Sequence, residues 1–248
     1  MGIVLFIVAS AVVGVRLLLL YKRLRQPPEL FLGLAYLLAG TLGWGGLLIG
    51  TLTTPKGQTV AEAYQASSVV VGDIGTLCFY LFVWYVFRRD SVGAKVALGV
   101  VALAFLVSIT CDTVLKGVTY GPPPGSATTL AGMAGRTAVF AWMASEAFAS
   151  YVAFRKRARI GLGNPQVANR LLLWGLSALV MFTLSALATS LYFTATDTVD
   201  ATLKQTQAGG IYGILAAISS VAIWLAFFPP QFYERWLSNS PEQESGNG

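Results

Sequence analysis

Leu130–Arg159 reads LAGMAGRTAVFAWMASEAFASYVAFRKRAR. Its apolar part reaches the roughly 20 residues that a membrane helix needs, and it ends in Arg155, Lys156, Arg157 and Arg159. Inside that apolar part stand Arg136 and Glu146. A charge at membrane depth costs roughly 2.5–3.5 kcal/mol on insertion scales, so two on one span predict partners on neighbouring spans.

The rest of the chain has the same character. Of its 248 residues 55% are hydrophobic and 11% charged, and the mean hydropathy is +0.66. Soluble domains carry about 25% charged residues. The formal charge of +6 does not point to nucleic acid, because most of the basic residues sit where spans turn on one side of a membrane. The sequence has no histidine. This chain alone therefore lacks the usual general base, metal ligand and neutral-pH switch, and no metal or other cofactor is expected. Cys78 and Cys111 fall in apolar spans, ~16 Å and ~8 Å below one surface when counted at 1.5 Å per residue. Disulfide geometry needs Cα atoms within about 7 Å, so they read as unbridged core residues. The first apolar run has no basic segment before it, unlike a secretory signal peptide, and is expected to stay in the protein.

Apolar runs and their breaks predict an all-α integral membrane fold, a bundle of seven transmembrane helices, over residues 1–237. The spans are expected at about 2–21, 30–52, 67–87, 94–116, 130–153, 170–194 and 208–228. Polar loops are expected at 53–66 and 195–207, and 238–248 reads as a mobile polar tail. Lys22, Arg23, Arg25, Arg88, Arg89, Lys95, Arg155, Lys156, Arg157, Arg159, Arg170 and Arg235 collect on one side, against Lys56, Lys116 and Lys204 on the other. The positive-inside rule then places the N-terminus outside and the C-terminus inside. Aromatic residues at the basic ends of spans three, five and seven, such as Trp84, Tyr151 and Trp224, read as an interfacial belt. In the second span Gly40, Gly43, Gly45, Gly46 and Gly50 make TLGWGG its weakest helical segment. Close packing of a neighbour is the plainer explanation, an unwound ligand site the other.

Depth sorts the buried charges into two layers. Asp73, Asp112 and Arg136 lie ~6–9 Å below the outer surface, and Arg16 and Glu146 lie ~8–12 Å above the inner one. The expected arrangement is an outer cluster Asp73–Arg136–Asp112, with Thr76 and Tyr212 nearby, and an inner pair Arg16–Glu146. The outer cluster reads either as a structural clamp or as a ligand or proton site open to the outside. Around the axis of the fifth span, Ala134, Ala138, Ala141, Ser145 and Ala149 form a small-residue stripe. Such stripes let helices approach closely, either within one chain or across a homodimer.

Seven spans, an outside N-terminus, short connections and about 250 residues resemble the microbial rhodopsins in topology. In that family a lysine within the seventh helix carries retinal. Here the seventh span, GGIYGILAAISSVAIWLAFF, has none, and Lys204 lies just before it. The family's arginine and aspartate on the third helix are also replaced, by Asp73 alone, with the arginine on the fifth span. The resemblance thus implies an opsin-like protein without retinal, and its Ala/Gly/Leu-rich spans with basic ends are similar to those of bacterial inner-membrane proteins. Asp73 and Asp112 resemble the two aspartates of intramembrane aspartyl proteases. The segment Val70-Val71-Gly72-Asp73 departs from their GxGD motif, however, and their PAL motif is absent. Pro165-Gln166 resembles the PQ-loop carriers' motif but lies in a turn, without their duplicated three-helix pattern.

The expected function is light-independent and non-enzymatic: a sensory or ligand-binding protein in the bilayer, with an outward polar pocket for an unidentified small ligand. Transport or proton conduction through the buried carboxylates is the alternative. A membrane enzyme or a structural role comes after that.

Overall fold

The computed structural model describes residues 1–53, 58–111, 127–160, 162, 165–196, 198–231 and 233, and they contain no strand. The helices are α1 (Gly2–Leu24), α2 (Pro27–Ala35), a π-helix (Tyr36–Gly43), α3 (Trp44–Thr53), α4 (Gln58–Phe87), α5 (Val92–Ile109), α6 (Ala127–Arg159), α7 (Pro165–Phe193), α8 (Thr198–Gln207) and α9 (Gly209–Phe227). α2, the π-helix and α3 run on as one column. The long columns pack in chain order as a ring, which closes where α9 meets α1.

Local chemistry explains the ends. α1 stops at Arg25, whose φ of 57° is left-handed and whose N–H donates to Tyr21 O at 2.8 Å. Pro27 and Pro28 then occupy the first turn of α2, where a missing N–H costs nothing. Ser91 caps α5 by accepting from the Ala94 N–H at 3.3 Å. Phe228 leaves helical geometry after α9, and Pro229-Pro230 follow. Beyond them Tyr233 exchanges hydrogen bonds with Asn169 of α7 at 2.8 and 3.1 Å, which ties this turn to the bundle.

Some elements run past their expected limits. Residues 58–66 are helical and extend α4 into the expected loop, because AEAYQA is rich in helix formers. α6 continues through its basic end to Arg159, and its 33 residues make it about 50 Å long. The expected loop 195–207 contains α8, whose first turn Asp200 stabilises by accepting from the Thr196 N–H at 2.9 Å.

Six helices are long and apolar enough to cross a membrane: Gly2–Leu24, Pro27–Gly50, Ala63–Phe87, Val92–Ile109, Gln166–Phe193 and Gly209–Phe227. α6 is not among them; its interior Arg136 and Glu146 and its basic end hold its hydropathy down. Polarity is inverted relative to a soluble bundle. Ser10, Asp73, Ser177 and Ser219 are buried, while Val8, Val15, Val100, Leu103, Ile214 and Val221 are exposed. An apolar surface of this extent around a partly polar core is consistent with an all-α membrane protein.

The glycine-rich column is widened rather than unwound. Its π-turn packs between α1 and α4 with almost no clearance. A Cβ on Gly43 would lie 3.2 Å from Gly72 Cα, and one on Gly75 would lie 2.8 Å from Ala39 Cβ. The plainer reading of those glycines, close approach of a neighbour, therefore describes this contact.

Candidate functional site

The structure brings Asp73 and Arg136 together. Asp73 sits on α4 directly after Gly72, where the π-helix presses against the backbone. Arg136, in the first half of α6, donates through Nε to Oδ1 at 2.6 Å and through Nη2 to Oδ2 at 2.9 Å. This fork-to-fork geometry uses both carboxylate oxygens. The side chain of Asp73 is 1% exposed and that of Arg136 30%, so the anion is enclosed and the cation reaches outward. Two further contacts fix α6 here. The Tyr80 hydroxyl donates to Gly135 O at 2.8 Å, and Phe105 and Ser108 of α5 pack against Gly135 and Gly132.

Among the described residues neither Thr76 nor Tyr212 hydrogen-bonds to this pair. Thr76 is buried and donates to Gly72 O at 2.8 Å, so its hydroxyl serves its own helix. The Tyr212 hydroxyl on α9 is buried without a hydrogen-bond partner among the described residues. Asp112 lies outside the described residues.

The expected inner pair Arg16–Glu146 is not formed. Glu146 instead accepts from Arg88 Nε at 2.6 Å and from Trp142 Nε1 at 3.1 Å. The reason is reach. Arg88 directly follows α4 and folds back along the bundle to α6, whereas Arg16 lies on α1, which packs on α2 and α9. The hydrogen bond to Glu146 and then its charge raise the pKa of Arg88 above the ordinary guanidinium value. Arg16 Nη1 donates to Phe227 O at 2.7 Å, and its guanidinium lies 4.3 Å from the centre of the Phe228 ring. It thus caps the C-terminal end of α9, where a cation is favoured.

Between the two ionic layers the bundle is mostly apolar. A cavity of about 30 Å³, room for a water or two, lies among α1, the π-helix, α3, α4, α6, α7 and α9. Its walls include Tyr36, Trp44, Phe79, Phe140, Met143 and Met181. Ser177 also lines it, but its hydroxyl already shares a 2.8 Å hydrogen bond with Ser219. Of the wall residues, Phe79 and Phe140 have ring centres 5.8 Å apart and follow Asp73 and Arg136 along α4 and α6. A second polar link, Thr137 to Ser185 at 2.8 Å, joins α6 to α7.

On α6 the stripe Ala134, Ala138, Ser145 and Ala149 is exposed and Ala141 half-buried, so among the described residues no neighbouring helix covers it. No group of three or more potential metal ligands occurs among the described residues. Sequence reasoning missed Arg88 as the partner of Glu146. The signal was present, since Arg88 stands one residue beyond a span end and an arginine can reach back a turn or more. Compared with protein-family models, curated proteins and solved structures, the chain matches none.

Proposed function

We propose that this chain is a seven-span membrane protein with its N-terminus outside. In this reading α6 is a span whose interior charges are matched by Asp73 and Arg88. It is a light-independent, non-enzymatic ligand-binding protein of sensory type, opsin-like in topology and set in a bacterial inner membrane. Its outward polar pocket is centred on Asp73 and Arg136, with Asp112 and Tyr212 as further members, and a second copy covers the small-residue stripe of α6. The observation that supports the pocket is the asymmetry of the pair: an enclosed carboxylate is held by a guanidinium with 30% of its side chain exposed. A ligand carboxylate or phosphate that engages the outward edge of Arg136 would compete with or reinforce that hold. Transport and proton conduction fit less well, because Phe79 and Phe140, which follow Asp73 and Arg136 along α4 and α6 toward Glu146, pack ring against ring.

A thermal-stability screen of the purified protein against small carboxylates, phosphates and amines tests the reading. Ligand at 100 times its Kd stabilises by about 2.7 kcal/mol, and Arg136→Lys, which keeps the charge but loses the fork, should remove the shift. No shift with any class would leave the pair as a structural clamp.

A further inference from the structure

Arg136 and Arg88 each hold a carboxylate, and among the described residues none reaches Arg16. Among the described residues its one hydrogen bond runs from Nη1 to Phe227 O, so Nε and Nη2 have no partner there. Yet Arg16 lies six residues before Lys22 in an apolar helix, about 9 Å inside the basic end of the bundle. Its side chain is exposed, so these donors meet the surrounding medium at the seam of α1 and α9. A guanidinium at this depth with spare donors and no anion among the described residues is a costly arrangement in a bilayer.

The neighbouring groups indicate what would complete it. Phe228 stacks on Trp224 with ring centres 4.6 Å apart and planes 21° from parallel, and the guanidinium lies over the Phe228 ring. Trp224 is exposed, as are Val12 and Val15 on α1 and Val221 on α9. The seam therefore offers a cationic fork, an aromatic ledge of the kind found at headgroup level, and an apolar flank running deeper. We propose that Arg16, Phe228 and Trp224 form a binding site for an anionic glycerophospholipid. The lipid's phosphodiester accepts from the free donors of Arg16, the ledge packs against its glycerol region, and an acyl chain follows Val12, Val15 and Val221. A guanidinium suits a phosphodiester because two of its donors match two phosphate oxygens. The proposal is independent of the pocket at Asp73.

Native mass spectrometry of the full-length protein in detergent tests it, with phosphatidylglycerol and phosphatidylcholine of identical acyl chains added in series. The wild type should retain phosphatidylglycerol at about tenfold lower concentration than phosphatidylcholine, a difference near 1.4 kcal/mol. Arg16→Gln should abolish the preference and Arg16→Lys keep part of it. Lys95→Gln, a loss of charge at the same end of the bundle, should leave it intact. Equal retention of the two lipids by the wild type, or an unchanged preference in Arg16→Gln, overturns the proposal. So does displacement of the lipid by millimolar inorganic phosphate, which would assign the site to a free anion. Should Arg16→Gln fail to fold, brominated phosphatidylglycerol still decides. It should quench the tryptophan fluorescence of the wild type more than that of Trp224→Phe, and equal quenching overturns the site.

Discussion

Arg88 and Glu146 are 58 residues apart in the chain and 2.6 Å apart in space, one just beyond the end of α4 and the other two-thirds of the way along α6. With side chains 56% and 12% exposed, the pair is anchored by its largely covered acid and open at its basic end. Trp142, one turn before Glu146, holds the same carboxylate oxygen.

Replacing Arg88 with Gln should therefore lower thermal stability only slightly, and less so as salt rises, since the exposed cation is screened. Glu146→Ala should cost more, because it leaves the Trp142 N–H without its acceptor. Melting temperatures at two ionic strengths check both; an Arg88→Gln loss as large as that of Glu146→Ala would contradict this ranking.

Asp73 and Arg136 form a far more enclosed pair. Removing one member leaves the other charge uncompensated, so Asp73→Asn or Arg136→Gln should each destabilise by about 3 kcal/mol. Denaturant titration of the purified variants, or loss of folded yield, measures this.

The close packing of the π-helix makes a sharp contrast between two glycines. A Cβ at Gly75 would press on Ala39, whereas one at Gly99 would meet nothing within 4 Å. Gly75→Val should cost about 1–3 kcal/mol through overpacking. Gly99→Ala should be neutral or stabilise by roughly 0.5–1 kcal/mol through helix propensity. Parallel unfolding curves decide; equal effects would show that the gap between the two sites closes by relaxation.

Outside the spans, α8 should respond to acid. The hydrogen bond from Lys204 and then that from the Thr196 N–H hold the Asp200 pKa below the ordinary carboxylate value. A lowered folded pKa stabilises the helix fully above the unfolded pKa and loses that contribution as pH falls through the folded one. Protection of α8 amides, corrected for intrinsic exchange, should drop below pH 4 in the wild type, and Asp200→Asn should flatten that drop.

If a second copy covers the α6 stripe, Ala138→Leu and Ala141→Leu together should shift the protein toward monomer in both detergent and lipid. An unchanged oligomer distribution would count against that interface.

How much was readable in advance varied with the range of the interaction. Apolar length marked every long column, and prolines and basic clusters marked most of their ends, because those are local costs. The Asp73–Arg136 contact was also legible, since equal depth and opposite charge on two apolar helices leave few other outcomes. Glu146 was paired wrongly because depth says nothing of position around the ring, where α4 adjoins α6 and α1 does not. The π-turn was foreshadowed only as weak helix. Its geometry depends on Gly72 and Gly75 of a different helix, which no reading of Tyr36–Gly43 by itself contains.

The bond from Arg16 to Phe227 carries a timing consequence. The two residues are separated by 211 positions, so at ~5–20 residues per second the guanidinium is made roughly 10–40 s before the carbonyl that caps it. Throughout that interval Arg16 lacks the carbonyl that it binds in the folded chain. The contact that joins α1 to α9 at this end is therefore a late one, and a chain halted before Phe227 holds Arg16 without the carbonyl that it binds in the folded protein.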